Sequence, residues 1–260
     1  MSIFDKLTAE TVLPQPFPLA LADDVLPADL LQGMQENLEY FEQWLPGTCK
    51  PGEKIYFSLA QTLRAADLPE PFKRFLAENA TAGAAKKWLK AFQPSISNHY
   101  PALADKLNEL RDEEIALRNL TETKQSILLL EVQLCTHAAV AGSDAVADRG
   151  PNIKETSKLL IAHLFLPHPQ DTQPQGAFQT YGATNTLKFA SKQQVWNRAG
   201  LMAATAVPYC ANKAVYYLNT DKSVQAMIPR SRTPYSLNYM NLTLELRQPL
   251  FQLDNLSLRA

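Results

Sequence analysis

The sequence predicts a helical N-terminal layer packed on a C-terminal antiparallel β jelly roll. Three observations predict it. The first 120 residues carry apolar side chains at helical spacing. After about residue 124 the texture changes to strict alternation and short apolar runs divided by Pro, Gly, Asn and Asp. The chain's 260 residues, 46% hydrophobic and 20% charged, have the length and composition of a folded core rather than a disordered chain. A chain this long hides roughly 70–75% of its extended surface on folding, so it needs no disulfide or metal staple.

The elements follow in order. Leu26-Pro27-Ala28-Asp29 opens a helix whose apolar positions are Leu30, Leu31, Met34, Leu38, Phe41 and Leu45, and Pro46-Gly47 stops it. Segments 57–66 and 69–79 repeat the pattern, the latter with Pro69 and Pro71 near its first turn. In 99–120, Leu103, Leu107, Leu110, Ile115 and Leu117 share an apolar face over Asp105, Glu109, Asp112 and Glu113, with Pro94 and Pro101 dividing the last two helices. Within 126–137, Leu128, Leu130, Val132 and Leu134 alternate with Glu131, Gln133, Cys135 and His137, which predicts a half-buried strand. Apolar runs at 158–166, 176–182, 205–209, 213–218, 223–228 and 236–246 predict the remaining strands. The division falls between a helical region, 1–123, and a β core, 124–260, within one integrated domain.

Charge, cysteines and the N-terminal sequence exclude several classes. Net charge is −1, so no global field draws nucleic acid. The split is uneven, with 12 basic and 17 acidic side chains in residues 1–120 against 13 and 9 in 121–260, which suits an anionic ligand in the second half. Cys49, Cys135 and Cys210 are too few and too scattered for a disulfide framework or zinc cluster, and are expected as reduced thiols. No apolar run reaches the ~18 residues of a membrane span. The opening MSIFDKLTAE places acids where a signal peptide carries basic and then apolar residues, so a cytoplasmic, membrane-free protein is expected.

Three segments carry a resemblance: Arg149-Gly150-Pro151-Asn152-Ile153-Lys154, Lys158-Leu159-Leu160, and Gln175-Gly176-Ala177-Phe178-Gln179-Thr180-Tyr181. They resemble the centre of iron- and 2-oxoglutarate-dependent dioxygenases of the prolyl-hydroxylase-like kind, where the pattern is Gly-Pro-His-x-Asp, an apolar strand, and Gly-Gly-x-Leu-x-x-Tyr. Downstream, Asn212 through Asn219, Ser223-Val224-Gln225 and Pro229-Arg230 are similar to that family's Asn-x-Leu-x-x-Phe-x-Asn, Ser-x-His and Pro-Arg. Pro16-Phe17-Pro18-Leu19 and Val25-Leu26-Pro27 are similar to its opening strand and first helix. The resemblance spans most of the chain in the right order, and implies a double-stranded β-helix of the cupin-like kind.

The same resemblance exposes a departure. The family holds Fe(II) with two histidines and a carboxylate on one face. The matching positions here are Asn152, Lys154 and Gln225. Amide carbonyls bind iron poorly, and a lysine ammonium has three donors, no acceptor and a repelling charge. The basic anchor for 2-oxoglutarate falls in Tyr235-Ser236-Leu237-Asn238, leaving Arg230 and Arg232 as the nearby anion-binding candidates. The second glycine of the Gly-Gly pair is Ala177. Iron and 2-oxoglutarate are therefore not expected to bind.

Other candidates are weighed on their chemistry. His163, His168 and Asp171 cluster in sequence, but a strand places His163 on one face while His168 lies past Pro167 in a loop, so no shared ion is expected. His99 is read as a surface residue at a helix start. In the resembled fold, Glu131, Gln133, Cys135 and His137 line the pocket; the plainer reading is a solvated sheet face. Lys154 in the vacated iron space, held by Asn152, Gln225 and Glu131, is a strut, an anion-binding group, a general base or an amine nucleophile; the plainer reading is a lysine reaching solvent. The leading expectation is a degenerate dioxygenase-like pseudoenzyme that binds a small anionic molecule or a protein partner such as an active relative. The alternative is a metal-independent enzyme using Lys154, His137 or Tyr235, and the third is an oxygenase with unusual ligands.

Overall fold

The computed structural model describes residues 1–42, 54–58, 63, 67–137, 153, 155–173, 178–183, 187–188, 201–227, 234–251 and 257–258. The helical layer follows the apolar periodicity in part, and the single helix expected from Leu26 to Leu45 is broken at Asn37-Leu38. Helix α1 (Ala28–Glu36) starts after Pro27, buries Leu30 and Met34 one turn apart, and is followed by the short α2 (Glu39–Glu42). Helix α3 (Glu70–Asn79) has Pro71 in its first turn, where a missing N–H costs nothing, and buries Phe72, Phe75, Leu76 and Asn79. A Cβ on Gly33 of α1 would lie 2.8 Å from Pro71 Cγ, so glycine permits the close approach of α1 to α3. Helix α4 (Ala82–His99) is capped by Thr81, whose side chain accepts from the Ala84 N–H at 3.1 Å, and buries Trp88, Leu89, Phe92 and Ile96. Helix α5 (Pro101–Asn108) closes the layer.

Four further expectations for this region are corrected. Pro94 lies inside α4 and does not end it; it sits with Lys90 on the exposed side of the helix, where the loss of one backbone bond is better tolerated. His99 ends α4 rather than starting a helix, and is exposed as expected. The 99–120 helix stops at Asn108, and Ile115–Leu117 forms a strand. The 57–66 helix begins instead as a strand, Lys54–Ser58, rich in the aromatic and β-branched residues a pleated surface favours. Of the rest of that segment only residue 63 is described.

Twelve strands are described: β1 (Leu19–Ala22), β2 (Lys54–Ser58), β3 (Ile115–Leu117), β4 (Leu128–His137), β5 (Lys158–Phe165), β6 (Phe178–Ala183), β7 (Leu187–Lys188), β8 (Leu201–Val207), β9 (Ala214–Leu218), β10 (Gln225–Met227), β11 (Leu237–Leu246) and β12 (Ser257–Leu258). The major sheet runs β1-β9-β5-β11-β4-β2, with β3 parallel to β4 and every other pair antiparallel. The minor sheet runs β10-β6-β8, and β12 pairs β7. This is a double-stranded β-helix with a helical layer on one face. Residues 1–123 contribute strands β1, β2 and β3 as well as the helices.

Alternation along the major sheet divides it between two cores. Leu128, Leu130, Val132 and Leu134 of β4 pack with Leu160, Ala162 and Leu164 of β5 against the helices, around Trp88 and Phe92. The opposite face packs against the minor sheet: Cys135, Ile161, Phe165, Tyr217 and Tyr239 meet Phe178 and Val207. The predicted faces of β4 are the observed faces. Among the described residues, no helix is long and apolar enough to cross a membrane.

Candidate functional site

The candidate site lies on the face of the major sheet that looks toward the minor sheet. Its centre is filled by rings. His163 of β5 is 1% exposed, with its ring centroid 5.7 Å from Phe178, 5.8 Å from Tyr217 and 5.1 Å from Tyr239, and its Nε2 3.5 Å from the Tyr217 hydroxyl. Phe178 and Tyr217 are themselves 5.5 Å apart, so the ring cluster ties the two sheets together. Burial raises the Tyr217 and Tyr239 hydroxyls well above the ordinary tyrosine range. Both remain neutral hydrogen-bonding groups near neutral pH.

At one end of this face the polar side chains form a compensated network. Glu245 of β11, 1% exposed, pairs with Arg118, lies 3.7 Å from Lys158 Nζ, and accepts from the Thr243 hydroxyl at 2.9 Å. Glu131 lies 3.9 Å from Arg118 and accepts from Gln133 Nε2 at 2.9 Å; Gln133 in turn accepts from Asn241 Nδ2 at 3.1 Å. Glu131 and Gln133 are thus half-buried on the inner face and bonded within the sheet. Cys135, from the same alternating set, is fully buried among the rings. His137, at the far end of β4, has its ring 6.0 Å from Tyr239.

Sequence reading missed the neighbour of His137. Strand β2 pairs Lys54 with His137 and Tyr56 with Cys135 across β4. Lys54 Nζ sits 4.5 Å from the Tyr56 ring centroid and 5.4 Å from that of Tyr239. The signal was a five-residue alternation, Lys54 and Tyr56 against Ile55 and Phe57, set in what read as a helical region.

The three positions that the resemblance matches to metal ligands are described in part. Gln225 opens β10 opposite Thr180 and is 2% exposed. It is two residues from Met227, which packs on the inter-sheet core, so its side chain lies on that same inward face. Asn152 and Lys154 lie outside the described residues, between which Ile153 is buried, and so do Arg230 and Arg232. Tyr235 is engaged elsewhere: its hydroxyl donates to Gln170 Oε1 at 3.1 Å and its ring stacks on His168 at 4.5 Å. That stack holds His168 in the loop after β5, while His163 points into the inter-sheet core, so the two do not converge. Among the described residues no three His, Cys, Asp or Glu side chains form a metal-binding group.

The turn that delivers Gln225 is held by residues of the same resemblance. Asn212, in the left-handed region at φ 61°, accepts from the Leu26 N–H at 2.7 Å and donates to the Leu26 carbonyl at 2.9 Å, fixing the start of α1 to the start of β9. Asn219 Nδ2 donates to the carbonyls of Glu155 and Lys158 at 3.0 and 2.8 Å. Ser223 accepts from the Thr220 N–H and donates to the Leu218 carbonyl, both at 2.8 Å. Asn219 and Ser223 close the β9–β10 connection, and Asn212 anchors the entry to β9. Gln225, buried on the inward face, carries a neutral amide, a side chain that suits iron poorly.

Known structures share the fold. The iron-containing epimerase SnoN, solved with alpha ketoglutarate and nogalamycin RO, aligns with a TM-score of 0.52 at 11% identity over 87% of this chain and 78% of its own. A prolyl 4-hydroxylase from Phytophthora capsici aligns with a TM-score of 0.50 at 11% identity over 94% of this chain and 64% of its own. A Pseudomonas putida prolyl-4-hydroxylase aligns at 0.45 and 11% identity over 88% of this chain and 93% of its own. No protein-family profile matches the sequence. No curated protein matches it either.

Proposed function

We propose that this chain is a degenerate member of the iron- and 2-oxoglutarate-dependent oxygenase family that has lost iron binding and acts as a binding protein for a small anionic molecule. One observation carries the reading: the frame around the site is kept while the ligand is replaced. Among Asn212, Asn219 and Ser223, whose types and spacing follow the family pattern, Asn212 fixes the entry to β9 while Asn219 and Ser223 shape the turn into β10. Gln225, the residue that turn delivers to the interior, is an amide in place of a histidine. Relaxed constraint on the whole barrel would erode the asparagine clamps along with the ligands. Selection for binding keeps the clamps and frees the ligand positions to change.

Catalysis without metal by Lys154, His137 and Tyr235 draws less support, because the 166–173 loop holds Tyr235 by both its ring and its hydroxyl. The test is anaerobic loading with Fe(II), followed by metal analysis and an absorbance titration with 2-oxoglutarate. The proposal expects iron far below stoichiometric and no 2-oxoglutarate-dependent band. Near-stoichiometric iron with such a band would overturn it.

A further inference from the structure

The charges on the inner face of the major sheet are segregated. Glu131 and Glu245 occupy one end, where Arg118 and Lys158 compensate them. Lys54 occupies the other end. Glu131 and His137 are six residues apart on β4, which at ~3.3 Å per residue separates the carboxylates from the Lys54–His137 row by about 20 Å. Among the described residues, Lys54 enters no ion pair and no hydrogen bond, and its ammonium meets only the Tyr56 and Tyr239 rings. Ring faces stabilise the charge, but they leave its N–H donors without strong acceptors. Directly across β4 stands His137, and beyond it Leu237 of β11, so the lysine, the imidazole and the start of β11 share one row. Cross-strand neighbours have Cβ atoms ~4.5–5.5 Å apart, close enough for one carboxylate to meet both Lys54 and His137. Tyr56 is 51% exposed and Tyr239 1%, so the row runs from an open rim to a buried ring.

We propose that Lys54 and His137 form an anion site for a small carboxylate with a flat apolar body, its carboxylate on the Lys54 ammonium and the His137 imidazole and its body against the tyrosine rings. The inference rests on the binding-protein reading above and names the site and chemistry of the ligand. A flat body adds ring contacts beyond its buried area, which favours an aromatic acid over an aliphatic one.

The experiment is calorimetric titration of the full chain with benzoate at low ionic strength. Saturable one-site binding is expected, weakened at least about tenfold by Lys54→Met and kept within about threefold by Lys54→Arg. A second readout, taken on the wild-type chain itself, is its ¹³C-dimethyl-lysine spectrum. Its Lys54 resonance, assigned by its loss in Lys54→Arg, is expected to move with benzoate along the calorimetric curve. The site is overturned by no saturable binding, by a Lys54 resonance that stays fixed at saturation, or by inorganic phosphate binding more tightly than benzoate. Failure here with iron still unbound removes the anion site alone, whereas stoichiometric iron removes the underlying reading whatever benzoate does.

Discussion

Replacing Phe178 with alanine tests whether the space between the sheets is a packed core. Phe178 is fully buried, projects from the minor sheet, and touches His163 and Tyr217 of the major sheet at centroid distances of 5.7 and 5.5 Å. Its removal loses the transfer energy of a whole ring and leaves a cavity whose walls, drawn from two sheets, cannot collapse together. Buried Phe→Ala changes cost ~3–5 kcal/mol, and the two lost ring contacts place this one in the upper half of that range. Urea unfolding reads the change as a lower midpoint at unchanged slope. A loss under about 1 kcal/mol would refute the reasoning, because it would mean that the ring faces solvent and the interior is an open pocket.

Other perturbations probe the frame. Glu245→Gln keeps the shape but leaves Arg118 and Lys158 without their carboxylate; breaking a buried pair costs ~3–5 kcal/mol, and with Arg118 37% exposed about 2–3 kcal/mol is expected by urea unfolding. Asn212→Ala strips both buried bonds to Leu26 and places alanine at φ 61°, for about 3 kcal/mol in all, and Asn212→Gly recovers the backbone part. The Lys87 ammonium hydrogen-bonded to Asp5 holds its carboxyl below the ordinary value of 3.8. A lowered folded-state value favours the folded chain once the carboxyl is ionised. The advantage of the parent chain over Asp5→Asn is therefore expected to be constant above about pH 5, near 0.2–1 kcal/mol, and to disappear as pH falls through 3.8 and below. Thermal melts across that range check it.

The sequence carried the barrel plainly where one pattern repeats over many residues. Strand β4 has ten, and the order Leu128, Leu130, Val132, Leu134 against Glu131, Gln133, Cys135, His137 matches the two cores the structure builds. The pattern failed where elements are short. Ile115 and Leu117 continued an apolar spacing that Leu103 and Leu107 had begun, yet they belong to a three-residue strand paired with β4, because pairing with a distant strand outweighs local periodicity. Pro94 reads as a boundary in sequence, but its exposed position makes the lost bond tolerable.

The site was legible in the same measure. Residues fixed by local motifs, such as Asn212, Asn219 and Gln225, were found in sequence, because each sits at a set offset within one strand–turn–strand unit. Lys54 was not, since its relation to His137 exists only through the pairing of β2 with β4. The Arg118–Glu245–Glu131 network escaped for the same reason, as its members come from three separate segments.

The measurement that bears most directly on the central claim is the iron content of the full chain after anaerobic Fe(II) loading, read with the absorbance that 2-oxoglutarate induces at an iron centre. The proposed replacement of the ligands by Asn152, Lys154 and Gln225 predicts iron far below one per chain and a flat titration. An iron-to-chain ratio near one, with a band that saturates on adding 2-oxoglutarate, would contradict it.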